Sequence, residues 1–194
     1  MNTNETVRGL SIKNVLKKVI ENKVFWILSF TFITAAAAQI TIPVKPVPFT
    51  LQTSAVLLAG AVLGAKRGAI SQLIYLGLGI IGLPVFAQTP DGAIGFARLI
   101  GPTGGYLLAF PIAAYITGRL IELNKSYVVV VSSMFFGSII IIFFGTLYLH
   151  LMFIKDFTLA VEAGAAIFTF WTVIKVFTAT LIYFGITKRN PNKS

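Results

Sequence analysis

Charged residues divide the chain into long uncharged stretches. Val24–Val44 runs 21 residues without a charge, Pro46–Ala65 20, Gly68–Pro90 23, Leu99–Gly118 20 and Ser126–Ile154 29. A sixth stretch, Ala163–Thr187, is 25 residues long and is interrupted only by Lys175. A helix rises about 1.5 Å per residue and the hydrocarbon core of a bilayer is about 30 Å thick, so each stretch is close to the ~20 residues that cross one. The period-two alternation of a transmembrane barrel is absent, and several stretches are rich in Ala and Leu. The pattern predicts an all-α integral membrane protein with six transmembrane helices.

Proline refines the boundaries. Pro46 and Pro48 cannot sit inside a helix, so the second helix is expected to start near Phe49, after a rigid extended connection from Pro43 to Pro48. Pro102 suits the first turn of the fourth helix, where its missing N–H costs nothing, and that helix is expected to reach about Ile121. The first stretch is too long for the apolar part of a cleavable signal peptide and is read as retained. The expected organisation is a basic N-terminal segment 1–23, a single six-helix domain 24–187 and a basic tail 188–194. Apolar and basic positions alternate before Val24, which suits either an amphipathic helix on the membrane surface or a solvated anchor.

Composition changes the picture by exclusion. Only 11% of residues are charged and 56% are hydrophobic, whereas a soluble domain carries about a quarter charged residues. The net charge of +10 would suggest nucleic acid, but too little polar surface remains to gather a basic face, so no nucleic acid is expected. The charge instead sets orientation. With the N-terminus inside, twelve basic residues lie on the cytoplasmic side (Arg8, Lys13, Lys17, Lys18, Lys23, Lys66, Arg67, Arg119, Lys125, Lys188, Arg189 and Lys193). Three, Lys45, Arg98 and Lys155, lie outside. By the positive-inside rule both termini are cytoplasmic, in a multi-pass protein of the cell membrane. Without cysteine, thiolate metal sites and cysteine nucleophiles are excluded. No metal-ligand cluster, Ser/His/Asp set or Walker loop is present, so neither catalysis, ATP hydrolysis nor a cofactor is expected.

Polar residues inside the stretches are costly, and Lys175 is the costliest. A lysine at a helix centre costs about 2.5–3.5 kcal/mol to insert and is tolerated where it faces a cavity or a partner. The acids Glu5, Glu21, Asp91, Glu122, Asp156 and Glu162 all lie outside the stretches, so Lys175 is read as cavity-facing, with an anionic ligand, most simply a carboxylate, as its complement. The segment Gly101-Pro102-Thr103-Gly104-Gly105-Tyr106 opens the fourth helix; its glycines allow either a close backbone approach to a ligand or tight helix packing. Gln39 and Gln52 flank the first outer loop with Thr50, where they either enter one outer cavity or bond between helices, and Gln72 is expected to pair between helices. Thr31, Thr34 and Ala35 belong to a small-residue patch on the first helix, and Gly60, Gly64 and Gly68 recur every fourth position. Such spacing serves internal packing or a partner subunit. His150, the single histidine, is expected to pack at the interface.

The ordered motifs carry a further reading. Gln39-Ile40-Thr41-Ile42-Pro43, then Pro46-Val47-Pro48-Phe49-Thr50-Leu51-Gln52-Thr53, then Leu58-Ala59-Gly60 with Leu63-Gly64-Ala65-Lys66-Arg67-Gly68, then Gly79 to Ala87, and finally Gly101 to Tyr106 closely resemble the BioY family, the biotin-binding S components of energy-coupling factor (ECF) transporters. The resemblance covers most of residues 30–120 in order. It implies a six-helix subunit that captures biotin from outside and delivers it with a transmembrane coupling subunit and two ATPase subunits. It further implies that the loop carrying Gly101, Thr103, Gly104 and Tyr106 caps the ligand together with the outer loop before it, and that Lys175 holds the carboxylate. Thr31 and Ala35 fit the spacing by which the family's first helix faces the coupling subunit. The chain departs from the family pattern at Thr172, where many members place an acid three positions before the lysine, and at Leu107, where some carry arginine. Arg98 and Asp91 are then candidates for those polar contacts, and a biotin relative such as dethiobiotin, or another small vitamin, is the alternative ligand. A membrane-embedded enzyme acting on a lipid is the alternative from another class.

Overall fold

The structure, a computed structural model, describes residues 21–42, 44–89 and 92–188, without the side chains of 166–170 and 188. Asp91, Pro43, most of segment 1–23 and the tail beyond 188 lie outside the described residues. Eight α-helices are found among the described residues: α1 (Lys23–Gln39), α2 (Gln52–Leu63), α3 (Ala65–Ile80), α4 (Ala97–Ile100), α5 (Gly104–Leu123), α6 (Tyr127–Met152), α7 (Phe157–Val161) and α8 (Ile167–Lys188). A π-turn, Glu162–Ala166, joins the last two. By length and composition α5 and α6 are each sufficient to cross a bilayer, while α1, α2 and the Trp171–Thr187 part of α8 are apolar but shorter.

Local chemistry explains the boundaries. The Asn22 side chain accepts from Val24 N–H at 2.9 Å and caps α1, and the Asp156 carboxylate accepts from Leu159 N–H at 3.0 Å and caps α7. The purely helical expectation gives way between α1 and α2, where β1 (Thr41–Ile42) and β2 (Phe49–Thr50) pair antiparallel, Thr41 opposite Thr50 and Ile42 opposite Phe49. Phe49 and Thr50 are thereby used in the ladder, and α2 starts at Gln52 rather than near Phe49. The Thr50 hydroxyl accepts from Gln52 N–H at 3.2 Å, satisfying one of the donors that a helix start leaves open. The third helix stops at Ile80, well before Pro90, because Gly82 turns the chain at φ 95° and Pro84 follows. Pro102 lies two residues ahead of α5, in the turn that leads into it, and Pro111 is accommodated inside α5.

Helix α5 is the hub: it packs on α2, α3 and α6, while α8 closes against α2 and α6, and α1 against α2 and α3. Two buried apolar clusters result. One, at the hairpin end, includes Phe49, Tyr75, Phe86, Tyr106 and Phe110. The other, toward the opposite end, includes Phe30, Leu57, Ile121, Met134 and Tyr183. Large apolar side chains such as Phe32, Ile139, Phe143 and Leu181 point outward, as a lipid-facing surface requires and a water-facing one would not favour. Gln72 donates to Thr34 Oγ1 at 3.2 Å, the expected bond between helices.

The glycine repeat is used within the chain. Gly64, at φ 81°, turns α2 directly into α3. A Cβ at Gly68 would lie 2.7 Å from the Gly60 Cα, and one at Gly118 2.7 Å from the Gly60 carbonyl oxygen. Helices α2, α3 and α5 therefore meet backbone to backbone, the geometry that small residues permit. Gly68→Ala is expected to cost about 1–3 kcal/mol through overpacking, whereas Gly77→Ala, on the same helix with nothing within 4 Å of the added methyl, leaves stability unchanged or raised. Thermal unfolding of the detergent-solubilised protein compares the two.

Candidate functional site

Beneath the hairpin, α2, α4, α5, α6 and α8 line a cavity that opens to the outside. Its walls are largely apolar, from Val47, Leu107, Phe110, Ile141 and Ile142. Polar groups converge on it from Thr50, Gln52, Thr53, Thr103, Ser138 and Thr172, and two cations reach it, Arg98 and Lys175.

Lys175 is 7% exposed. Its ammonium donates to Thr53 Oγ1 at 3.2 Å and lies 3.9 Å from the centre of the Phe49 ring. Among the described residues no carboxylate pairs with it. A hydroxyl and a ring face soften the cost of placing the charge there, and among the described residues neither supplies the negative charge that an ammonium ordinarily pairs with. Phe49 comes from β2 and is backed by the Trp171 ring, centroids 5.3 Å apart, so the hairpin and α8 together position the cation. Thr172, three residues before Lys175, falls on the same helix face and on the cavity wall.

Arg98 is buried on α4 and donates to the Ala87 carbonyl at 2.6 Å and to Thr89 Oγ1. It is thus a cavity-wall residue that also holds the 81–96 loop, rather than a solvated flanking charge. The Gln52 amide donates to Tyr75 Oη and its carbonyl accepts from Thr50 Oγ1 at 3.2 Å, which fixes the amide at the rim of the cavity. Thr103 lines the cavity with a buried hydroxyl that has no hydrogen-bond partner among the described residues. An unmade hydrogen bond at a buried hydroxyl is costly, so the group suits a polar atom of a ligand.

The Gly101–Tyr106 loop divides into two roles. Thr103 and Tyr106 face the cavity. The glycines do not line it: a Cβ at Gly104 would collide with the Leu99 carbonyl oxygen, one at Gly105 would lie 2.7 Å from the Phe144 carbonyl oxygen, and one at Gly101 3.3 Å from that of Ala97. They allow α4, α5 and α6 to meet closely. The Tyr106 ring is part of the wall, while its hydroxyl donates to the Gly164 carbonyl at 2.7 Å, inside the π-turn.

Gln39 does not reach the cavity. Its amide nitrogen lies 3.3 Å from the Ala35 and Pro84 carbonyl oxygens and 3.4 Å from that of Phe86, bracing the end of α1 against the 81–96 loop. Thr31 is fully buried and donates to the Ser71 carbonyl at 2.9 Å, and Ala35 is partly buried against the hairpin-end cluster. The outward face of α1 is carried by Phe25, Leu28, Phe32 and Ala36 instead. His150 Nδ1 donates to the Ile154 carbonyl at 3.0 Å and the ring packs edge to face with Phe157, in line with interfacial packing. No group of three or more metal-ligating side chains occurs among the described residues.

Sequence reasoning missed Thr53, Phe49 and Ser138. Thr53 had a usable signal, since it shares the first turn of α2 with Gln52. Phe49 and Ser138 had none: one is a ring among many, and the other bonds its own helix at the Met134 carbonyl, as any serine in a membrane helix does.

The BioY family profile matches residues 8–192. A protein of Thermotoga maritima described as "Biotin transporter BioY" is 38% identical over 159 residues, covering 82% of this chain and 92% of that one. A protein of Pyrococcus horikoshii described as "Probable biotin transporter BioY" is 40% identical over 153 residues, covering 79% and 88%. Among solved structures, the 2.1 Å crystal structure of the S-component for biotin from an ECF-type ABC transporter superposes with a TM-score of 0.78 at 24% identity, covering 97% of this chain and 95% of that one. The two share a fold.

Tyr106→Phe keeps the ring in the wall and deletes the hydroxyl that bonds the Gly164 carbonyl and lies 3.4 Å from Thr146 Oγ1. It is expected to destabilise the protein by about 1 kcal/mol, the usual scale for such bonds in membrane proteins, read as a lowered melting temperature.

Proposed function

The chain belongs to the BioY family, and from that premise we propose that it binds biotin outside the cell membrane as the S component of an ECF transporter. One observation carries this reading: the buried ammonium of Lys175 opens onto a mostly apolar cavity with only a hydroxyl and a ring as its described partners. Biotin has the matching parts. Its carboxylate complements Lys175, its bicyclic thioether body suits Phe110, Leu107 and Ile141, and its ureido group offers donors and an acceptor to Thr103, Ser138 and Thr172. Gln52 and Arg98 complete the polar rim, with Asp91 a further candidate. In this reading the chain is a binder, and ATP hydrolysis belongs to two partner ATPases acting through a coupling subunit. Six membrane spans with both termini cytoplasmic accompany it, supported by the twelve-to-three split of basic residues. The three α1–α3 spans are shorter than ~20 residues, and the hairpin and the 81–96 loop supply the remaining depth. The outward face of α1, with Phe25, Leu28, Phe32 and Ala36, is the surface offered to the coupling subunit, and Ala35 and Thr31 support that helix from within.

Labelled biotin is expected to bind the purified chain with a dissociation constant below about 1 µM; failure to bind in that range overturns the assignment. A competition series with dethiobiotin, thiamine and riboflavin ranks the alternatives, and Thr172 in place of an acid makes dethiobiotin the most informative of them. Lys175→Ala is expected to weaken biotin by at least about tenfold and biotin amide by much less, because only the free acid loses a charge partner. Equal losses would remove Lys175 from the carboxylate role. The chain contains no cysteine, so single cysteines report topology directly. Lys155→Cys is expected to react with an impermeant maleimide in intact cells, and Lys125→Cys only after the membrane is opened.

A further inference from the structure

At the end of the bundle opposite the hairpin, the start of α3 and the end of α5 frame an open cleft lined by Leu63, Ala65, Lys66, Arg67, Tyr115, Arg119 and Glu122. Three of these residues are cationic and one is acidic. The acid is already committed: Glu122 Oε1 accepts from Ala65 N–H at 2.8 Å, and its Oε2 lies 3.6 Å from Arg119 Nη1. Lys66 and Arg67 are exposed and face no described carboxylate at ion-pair distance, so the cleft keeps an excess of positive charge. The cleft is also continuous with an apolar track. Leu108, Ile112, Tyr115 and Arg119 fall on one face of α5 at spacings of four, three and four residues, and all four are exposed. Basic residues therefore stand at the foot of an outward-facing apolar stripe, with a tyrosine at the boundary.

We propose that this cleft seats an anionic phospholipid of the inner leaflet, its phosphodiester held by Lys66, Arg67 and Arg119 and an acyl chain lying along Ile112 and Leu108. The inference rests on the cytoplasmic placement of this end proposed above. Charge complementarity selects an anion, and the apolar stripe selects one that carries a chain, since a free phosphate or an acidic protein segment has no use for Leu108 and Ile112. Glu122 acts as a counterweight: it ties the Gly64 corner to α5 and lowers the positive charge of the cleft without abolishing it.

The test uses the full-length chain purified in detergent and offered equal amounts of phosphatidylglycerol and phosphatidylcholine, with retained lipid read by native mass spectrometry. The wild type is expected to prefer phosphatidylglycerol. Lys66→Gln/Arg67→Gln is expected to reduce that preference by roughly fivefold per charge removed. Glu122→Gln keeps an acceptor for Ala65 N–H while removing the negative charge, and is expected to raise the preference several-fold, a direction that loss of folding would not produce. No preference in the wild type, or a preference untouched by the double variant, overturns the proposal. So does equal competition by glycerophosphoglycerol, which would mark a site for soluble phosphates, and so does a double variant that keeps its lipid but loses a coupling subunit, which would mark a protein interface. Biotin binding by the same preparations is expected to be unchanged by all three substitutions, so failure of the vitamin assignment and failure of the lipid site are read separately.

Discussion

An ammonium group held within an apolar bundle must find electron density close by, and the hairpin end of this protein is organised around that requirement. Lys175 takes one hydroxyl from α2 and one ring face from β2. The ring comes from the segment that the prolines keep out of helical conformation and the hydroxyl from the first turn of the helix that follows it, so the hairpin is part of the site rather than a connection over it. Had Phe49 been the first residue of a longer α2, its ring would follow the helix surface instead of meeting the Trp171 ring and the lysine. The same segment supplies Thr50, which caps α2 and braces Gln52. Cation, cap and cavity rim thus depend on one short antiparallel ladder.

That arrangement needs a firm scaffold, and backbone contact provides it. In a bilayer, apolar side chains gain little by leaving lipid for protein, so helix association relies on close packing and hydrogen bonds. Gly60, Gly68 and Gly118 let α2, α3 and α5 touch at their backbones, and Gly104 and Gly105 do the same for α4, α5 and α6. Polar side chains then cross the seams: Thr31 to Ser71, Gln72 to Thr34, Tyr106 to the π-turn. The last of these ends in the π-turn, where the Gly164 carbonyl accepts from the Tyr106 hydroxyl. The cavity wall is fixed from behind by a bond that its ligand never sees.

Much of the fold was legible because hydrophobic length is a one-dimensional property. Six apolar stretches are visible in the order of residues, and α1, α5, α6 and α8 fall within or across the stretches that predict them. The exceptions are instructive. The Gly68–Pro90 stretch is uncharged throughout, yet only its first part is helical, because absence of charge does not distinguish a helix from a loop folded back among other apolar groups. Arg98, a candidate polar contact and also one of the three outer flanking charges, folds inward, where Ala87 offers it a carbonyl and Thr89 a hydroxyl. Gln39 illustrates the reverse case: a polar residue near the expected cavity that finds its acceptors in backbone carbonyls and so braces the loop instead.

The sequence by itself determined the helical membrane class, the buried lysine and the family motifs, since each of these depends on residue type and spacing along one chain. The tertiary structure alone decided which polar residues share a cavity. Thr53, Thr103 and Lys175 are separated by long stretches of chain and are brought together by helix packing, and whether a glycine lines a ligand or touches a neighbouring helix depends on what lies across from it. A side chain's neighbours in three dimensions set its partners, and in a bundle those neighbours come from other helices.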